Sequence, residues 1–169
     1  DPLDATAKDS NCDGADGIVA DTVFVSTAGS DANACTLAAP CQTIPRGIAE
    51  AGSTKHVVQV SNGSGFGAFT ISGTSGLTIR GGFATDFLSR TGTTTSTGGV
   101  TLNNASSLKL EFLTIVGPGG TNPTGMFISQ GTVTLQNVTV SSGTATGAGS
   151  SAYGIRVLAG ANVTINGSS

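Results

Sequence analysis

SLKLEFLTIV at residues 107–116 and TVTLQNVTVS at residues 132–141 decide the reading of this chain. Leu110 falls on Leu135 and Leu113 on Val138 when the second stretch is slid back by 25 residues. Leu135 in turn falls on Ile165, 30 residues on, in ANVTING (161–167), the extra length fitting inside TATGAGSSA. Within each stretch apolar and polar residues alternate, which is the period of a strand with one buried face. Internal similarity every 20–30 residues signals a solenoid. Two or three short strands per repeat, without an LxxLxL pattern, exclude a leucine-rich repeat.

Outward from this core the same theme recurs in HVVQVSNGSG, AFTISGTSGLTIRGGF, GVTLNNASS and YGIRVLAG. A coiled β-solenoid accounts for it. Val, Ile, Leu and Phe face inward, Thr, Ser and Asn outward, and stacked parallel coils satisfy the backbone hydrogen bonds. Gly and Asn serve the corners, where a positive φ is needed. An antiparallel sandwich with the same strand count is the alternative. Near the start, TIPRGIAEAG places Ile44, Ile48 and Ala51 on one helical face before Gly52, giving a short capping helix over about 43–51.

The composition agrees. Gly (26), Thr (25) and Ser (19) make 70 of 169 residues, charged residues are 10%, and the net charge is −3. Seven scattered basic residues exclude a nucleic-acid surface. No heptad pattern supports a coiled coil, and no apolar run approaches the 20 or so residues of a membrane span. The chain opens at Asp1 without Met or a signal peptide, as a processed or truncated chain would.

Residues 1–21 differ from the rest. They hold six of the eight Asp residues and read as an acidic, extended tail or linker, leaving 22–169 as the solenoid. DSNCDGADG (9–17) has the D-x-N-x-D-G spacing of the first half of an EF-hand-type loop. Asp9, Asn11 and Asp13 would offer side-chain oxygens and Ala15 its carbonyl, a structural calcium site. The twelfth position is Ala20, so Asp16 or Asp21 would have to supply the missing acid.

Cys35 and Cys41 bracket CTLAAPC and are expected to form a disulfide, which points to an oxidising compartment. Two free thiols are the alternative. Cys12 is left over, and the cysteines have no metal-site spacing.

TVFVSTAGSDANACTLAAPCQTIPRGIAEA (22–51) resembles the opening of right-handed parallel β-helix proteins of the pectate-lyase-like superfamily. Those begin with a strand, a Gly-Ser-Asp loop, an Ala-Pro and a short capping helix. GLTIRGGFATDFLSR (76–90) is similar to a Gly-Gly-Phe segment of secreted bacterial β-helix proteins, and the Asp-rich stretch beside Cys12 resembles a metal-binding motif of secreted bacterial proteins. The resemblance implies an all-β, right-handed parallel β-helix, secreted or at a bacterial cell surface. It says little of activity, because the fold hosts lyases, hydrolases, adhesins and passive fibres.

Catalysis on polysaccharides by such folds needs clustered acids. Residues 52–169 contain only Asp86 and Glu111. Glu111 is expected to point outward beside Lys109, Asp86 to lie near Arg90, and Arg80, Arg90 and Arg156 to be isolated. His56, the single His, reads as a strand-end surface residue. The run TGTTTSTGG (91–99) reads as a flexible loop rather than a ladder of outward threonines. The sequons at Asn62, Asn104, Asn137, Asn162 and Asn166 follow from the Ser/Thr content.

A capping helix is readable at one end, but ANVTINGSS stops inside the repeat pattern. Either the chain is part of a longer β-helix or its open end docks on another subunit and builds a fibre. The function expected is therefore an extracellular structural or adhesive module without a catalytic site. The alternatives are a piece of a polysaccharide lyase or hydrolase with its acids elsewhere, or a surface that binds carbohydrate or ice. Self-association or a cell-surface carbohydrate is the partner this implies.

Overall fold

In a computed structural model, which describes residues 2–52 and 54–169, fourteen strands stack into a parallel β-solenoid with one short α-helix. Three faces make up the coil. The largest sheet contains β1 (Thr22–Val25), β2 (Val57–Ser61), β5 (Thr78–Phe83), β8 (Ala105–Glu111), β11 (Gly131–Gln136) and β14 (Ala161–Asn166), in that order. The second contains β3 (Gly63–Phe66), β6 (Thr94–Thr97), β9 (Leu113–Val116) and β12 (Thr139–Ser141). The third contains β4 (Phe69–Ser72), β7 (Val100–Asn103), β10 (Thr124–Ile128) and β13 (Tyr153–Val157). Every pairing between these strands is parallel. Crossovers between coils thus replace hairpins, and the antiparallel alternative is excluded.

The sequence repeat is the structural rung. Val23, Val58, Ile79, Leu110, Leu135 and Ile165 are register partners in one column. From Val58 onward they are separated by 21, 31, 25 and 30 residues. The first five are fully buried, whereas Ile165 is 51% exposed because no rung lies beneath it. Thr114 pairs with Thr139, which sets Leu113 beside Val138 as the repeat requires. The core joins this column to Phe69, Ile71, Val100, Leu102, Met126 and Ile128 from the third sheet.

Helix α1 (Ile44–Ala51) closes the β1 end. Thr43 caps it by accepting the Arg46 N–H at 3.2 Å, and Gly52, at φ 54°, ends it. Asp31 sets the entry angle: its carboxylate accepts the N–H groups of Gln42 and Thr43 at 2.8 and 2.9 Å. Gly47 lets the helix lie directly on the coil, since a Cβ there would stand 2.5 Å from Val25 Cγ2. Cys35 and Cys41 are bonded as expected, with Cα atoms 4.5 Å apart, and both are buried.

Two expectations change. Residues 2–18 are not a free linker: they carry no strand, yet Ala7, Ala15 and Asp16 are buried against the outside of the large sheet. Ala7 and Ala15 share a second apolar cluster with Phe24, Phe83 and Phe87, in which Phe24 and Phe87 meet edge to face at 5.0 Å. The threonine run is no flexible loop either. Its residues 94–97 are β6, hydrogen-bonded between β3 and β9. Thr94 turns inward and donates its hydroxyl to the Ser61 carbonyl at 2.7 Å while accepting the Gly82 N–H at 2.7 Å.

Candidate functional site

Two surfaces gather the chemistry-bearing residues. The first is the outer face of the large sheet. Register stacks Phe24, Gln59, Arg80, Glu111, Gln136 and Asn166 in one outward row. Arg80 and Glu111, 31 residues apart in sequence, become neighbours on adjacent rungs, and Arg80 Nε donates to Glu111 Oε2 at 2.6 Å. Asp16 reaches the other end of the guanidinium, with Arg80 Nη1 donating to its Oδ2 at 2.5 Å. Arg80 Nη2 donates to the Asp4 carbonyl, and the Asp4 N–H returns to Asp16 Oδ1 at 3.1 Å. Gln59 Nε2 donates to the Asp16 carbonyl at 2.6 Å. Lys109 Nζ closes the chain of charge on Glu111 Oε1 at 2.6 Å.

Lys109 and Glu111 do share a strand face, as expected, but Glu111 is buried and Arg80 is anything but isolated. Three charged side chains, Asp16, Arg80 and Glu111, lie out of water. Removing one partner of such a set leaves an uncompensated buried charge, which costs about 3–5 kcal/mol. Arg90 is the second anchor: Nη1 donates to the Ala5 carbonyl at 2.8 Å and the guanidinium lies 3.7 Å over the Phe112 ring. Burial, then the neighbouring Arg80, pull the Arg90 guanidinium down to about 10.

The acidic loop within this segment closes on itself. Asp9 accepts the N–H groups of Asp13 and Gly14, at 3.2 and 2.8 Å. Asn11 Oδ1 also accepts from Asp13, and Asp13 Oδ2 accepts the Val19 N–H at 2.9 Å. That last bond leads the interactions holding the Asp13 carboxyl below the usual carboxylate range. Asp16 faces Arg80 rather than Asp9, Asn11, Asp13 and the Ala15 carbonyl. Among the described residues no three His, Cys, Asp or Glu side chains converge on a cation position. Asp9, Asn11 and Asp13 stay gathered in one turn, and Asp16 is not among them.

The second surface is the outer face of β3, β6, β9 and β12. Ser64, Thr95, Thr114 and Thr139 are register partners in an outward row. Beside them is a shallow depression of about 210 Å³ lined by Thr93, Phe112, Thr114, Asn137 and Thr139. Phe112 and Asn137 occupy the same corner on successive rungs, at φ 55° and 53°, and Gly167 follows at 57°. Asn and Gly accept that left-handed backbone; a bulky Phe does so at a cost. Sequence reasoning passed over Phe112, although its place opposite Asn137 in the 25-residue repeat marks it.

The remaining residues of interest stand apart. Asp86 accepts the Leu88 N–H at 3.1 Å in an exposed turn, away from Glu111 under the N-terminal segment. His56 is exposed and sits 2.8 Å from Asp21. Arg156 lies 5.8 Å from the Phe127 ring and 6.0 Å from that of Tyr153. Cys12 is a free, exposed thiol. No described helix is long and apolar enough to cross a membrane.

No family model, curated protein or solved structure matches the chain. The resemblance to β-helix proteins therefore holds at the level of the fold, a stacked parallel solenoid with a helix near its start.

Proposed function

We propose that the chain is an extracellular structural and adhesive module that presents its threonine face to a neutral glycan. The in-register row Ser64–Thr95–Thr114–Thr139 carries this reading. Strands on neighbouring rungs are about 4.8 Å apart, so the row offers hydroxyls at a fixed interval along the solenoid axis. A polymer with regularly repeated hydroxyls meets such a row without reorganising it. The flanking depression adds an aromatic ring and an amide, and no charged side chain lines it. The disulfide suits an extracellular, secreted or cell-surface setting.

A lyase or hydrolase reading finds less support. Of the two acids in residues 52–169, Glu111 is committed to Arg80 and Lys109, and Asp86 lies in an exposed turn. A fibre built head to tail needs two open ends, and α1 covers one of them. Adhesion along the side of the coil needs neither.

The test is co-sedimentation with insoluble neutral polysaccharides and with uronic-acid polymers. Binding to the neutral set, lost in a Thr95→Lys/Thr114→Lys variant that keeps its β-rich circular dichroism, supports the reading. No sedimentation with any polymer ends the adhesive part of it. Thermal hysteresis in freezing assays would reassign the row to ice, and turnover of uronate polymers with calcium would restore the enzyme.

A further inference from the structure

We propose that the depression beside the threonine row is a subsite for one neutral pyranose ring, with Phe112 as its stacking platform and Asn137 as its hydrogen-bonding edge. This rests on the glycan-binding reading of that face and narrows its ligand to a sugar with equatorial hydroxyls, as in a β-linked glucan.

The corner itself points to Phe112. The Phe112 N–H donates to the Gln136 carbonyl at 3.1 Å, and one rung on the Asn137 N–H donates to the Asn166 carbonyl at 2.9 Å. Phe112, Asn137 and Gly167 thus take the same turn, at φ 55°, 53° and 57°. Asn and Gly suit that backbone, and a phenylalanine strains it. Phe87 also has a left-handed backbone, at φ 61°, but it is fully buried against Phe24 and Phe83. Core packing accounts for Phe87. Phe112 is only half-buried, so the same account fails for it.

The ring is held in place. The Arg90 guanidinium lies 3.7 Å over Phe112 and 4.9 Å from the Phe83 ring, and its Nε donates to the Gly81 carbonyl at 3.1 Å. The sugar would lie on the side of Phe112 turned from Arg90, with its axial C–H groups against the negative face of the ring. Thr93, Thr114 and Asn137 stand around it, and among the described residues no hydrogen bond engages the Asn137 amide or the Thr114 hydroxyl. Drug-sized ligands occupy about 300–1,000 Å³. At about 210 Å³ the depression takes one ring, leaving the rest of a polymer to the threonine row.

The experiment is an NMR titration of the full chain with cellohexaose, and with inulin, a furanose polymer, as the contrast. Cellohexaose is expected to shift the amides of Phe112, Leu113, Thr114 and Asn137, and inulin to leave them in place. Phe112→Asn and Asn137→Gly each copy the residue this corner uses one rung further on, so the backbone accepts both. Phe112→Asn is expected to keep its melting point, the relieved strain offsetting the lost Arg90 stack, and to bind at least about tenfold more weakly. Asn137→Gly is expected to weaken binding about three- to tenfold. Parent-like binding in both variants, or an equal response to inulin, would overturn the subsite. So would a Phe112→Asn chain that melts far lower while Asn137→Gly binds like the parent, for the ring would then be a structural part. No shift in the parent overturns it too, and sedimentation of the parent with insoluble neutral polysaccharide then decides whether the threonine row falls with it.

Discussion

Truncating the same core column at two depths separates a closed rung from an open one. Leu110 lies between Ile79 and Leu135 and is 0% exposed, whereas Ile165 has Leu135 above it and is 51% exposed. Leu110→Ala removes buried methyl groups and leaves a hole that rungs on both sides cannot collapse to fill. Such substitutions cost about 2–5 kcal/mol. Ile165→Ala deletes a side chain only half removed from water, worth about 1 kcal/mol when full burial is worth about 1.5–3. At about 2–4 °C per kcal/mol for a domain of this size, Leu110→Ala should melt about 4–20 °C lower and Ile165→Ala about 2–4 °C lower. Thermal melts by circular dichroism on both variants, with amide exchange on β11 and β14, measure the difference. Equal losses would refute the reasoning, for they would mean that Ile165 is covered in solution as thoroughly as Leu110.

Three more outcomes follow from the site geometry. Thr94→Val keeps the shape but strands the Gly82 N–H and the Ser61 carbonyl, and urea titration should show a loss of about 1–3 kcal/mol. Opening the Cys35–Cys41 link by a double Ser substitution should cost about 2 kcal/mol for a seven-residue loop, read as a lower melting point than the oxidised parent. Since Asp16 is turned to Arg80 and the twelfth position of the loop is Ala20, calcium and a chelator should give the same melting curve. A shift with calcium would reassign residues 9–17 as a metal loop.

The Leu110, Leu135 and Ile165 part of the column could be read from sequence because inward positions repeat two apart and rungs repeat the same residue class, whereas Val58 and Ile79 join it only through strand register. The helix at Ile44–Ala51 was legible from Ile44, Ile48 and Ala51 on one face and from Gly52 as its stop, because those signals are local. The charged clasp was not. Its members are separated by 31 and 64 residues, and only the register of β5 with β8 brings Arg80 to Glu111. Taken singly, each resembles an ordinary surface charge. The threonine strand was hidden for a different reason. Thr, Ser and Gly suit loops and outward strand faces alike, so β6 is defined by its neighbours β3 and β9 rather than by its own composition. Phe112 escaped because an aromatic beside Leu113 looks like core, and only its left-handed backbone turns it to the corner.

The unequal rung lengths have a practical side. From Val58 onward successive coils differ by up to ten residues, yet the column stays in register because the surplus leaves through corners such as 84–93, 117–123 and 142–152. Those corners behave as ports on a rigid rod. A foreign peptide spliced into one of them would be displayed at a known height and compass direction, with spacing between ports set by the rungs. A binding face could thus be lengthened or moved by changing loops alone, leaving the buried column untouched.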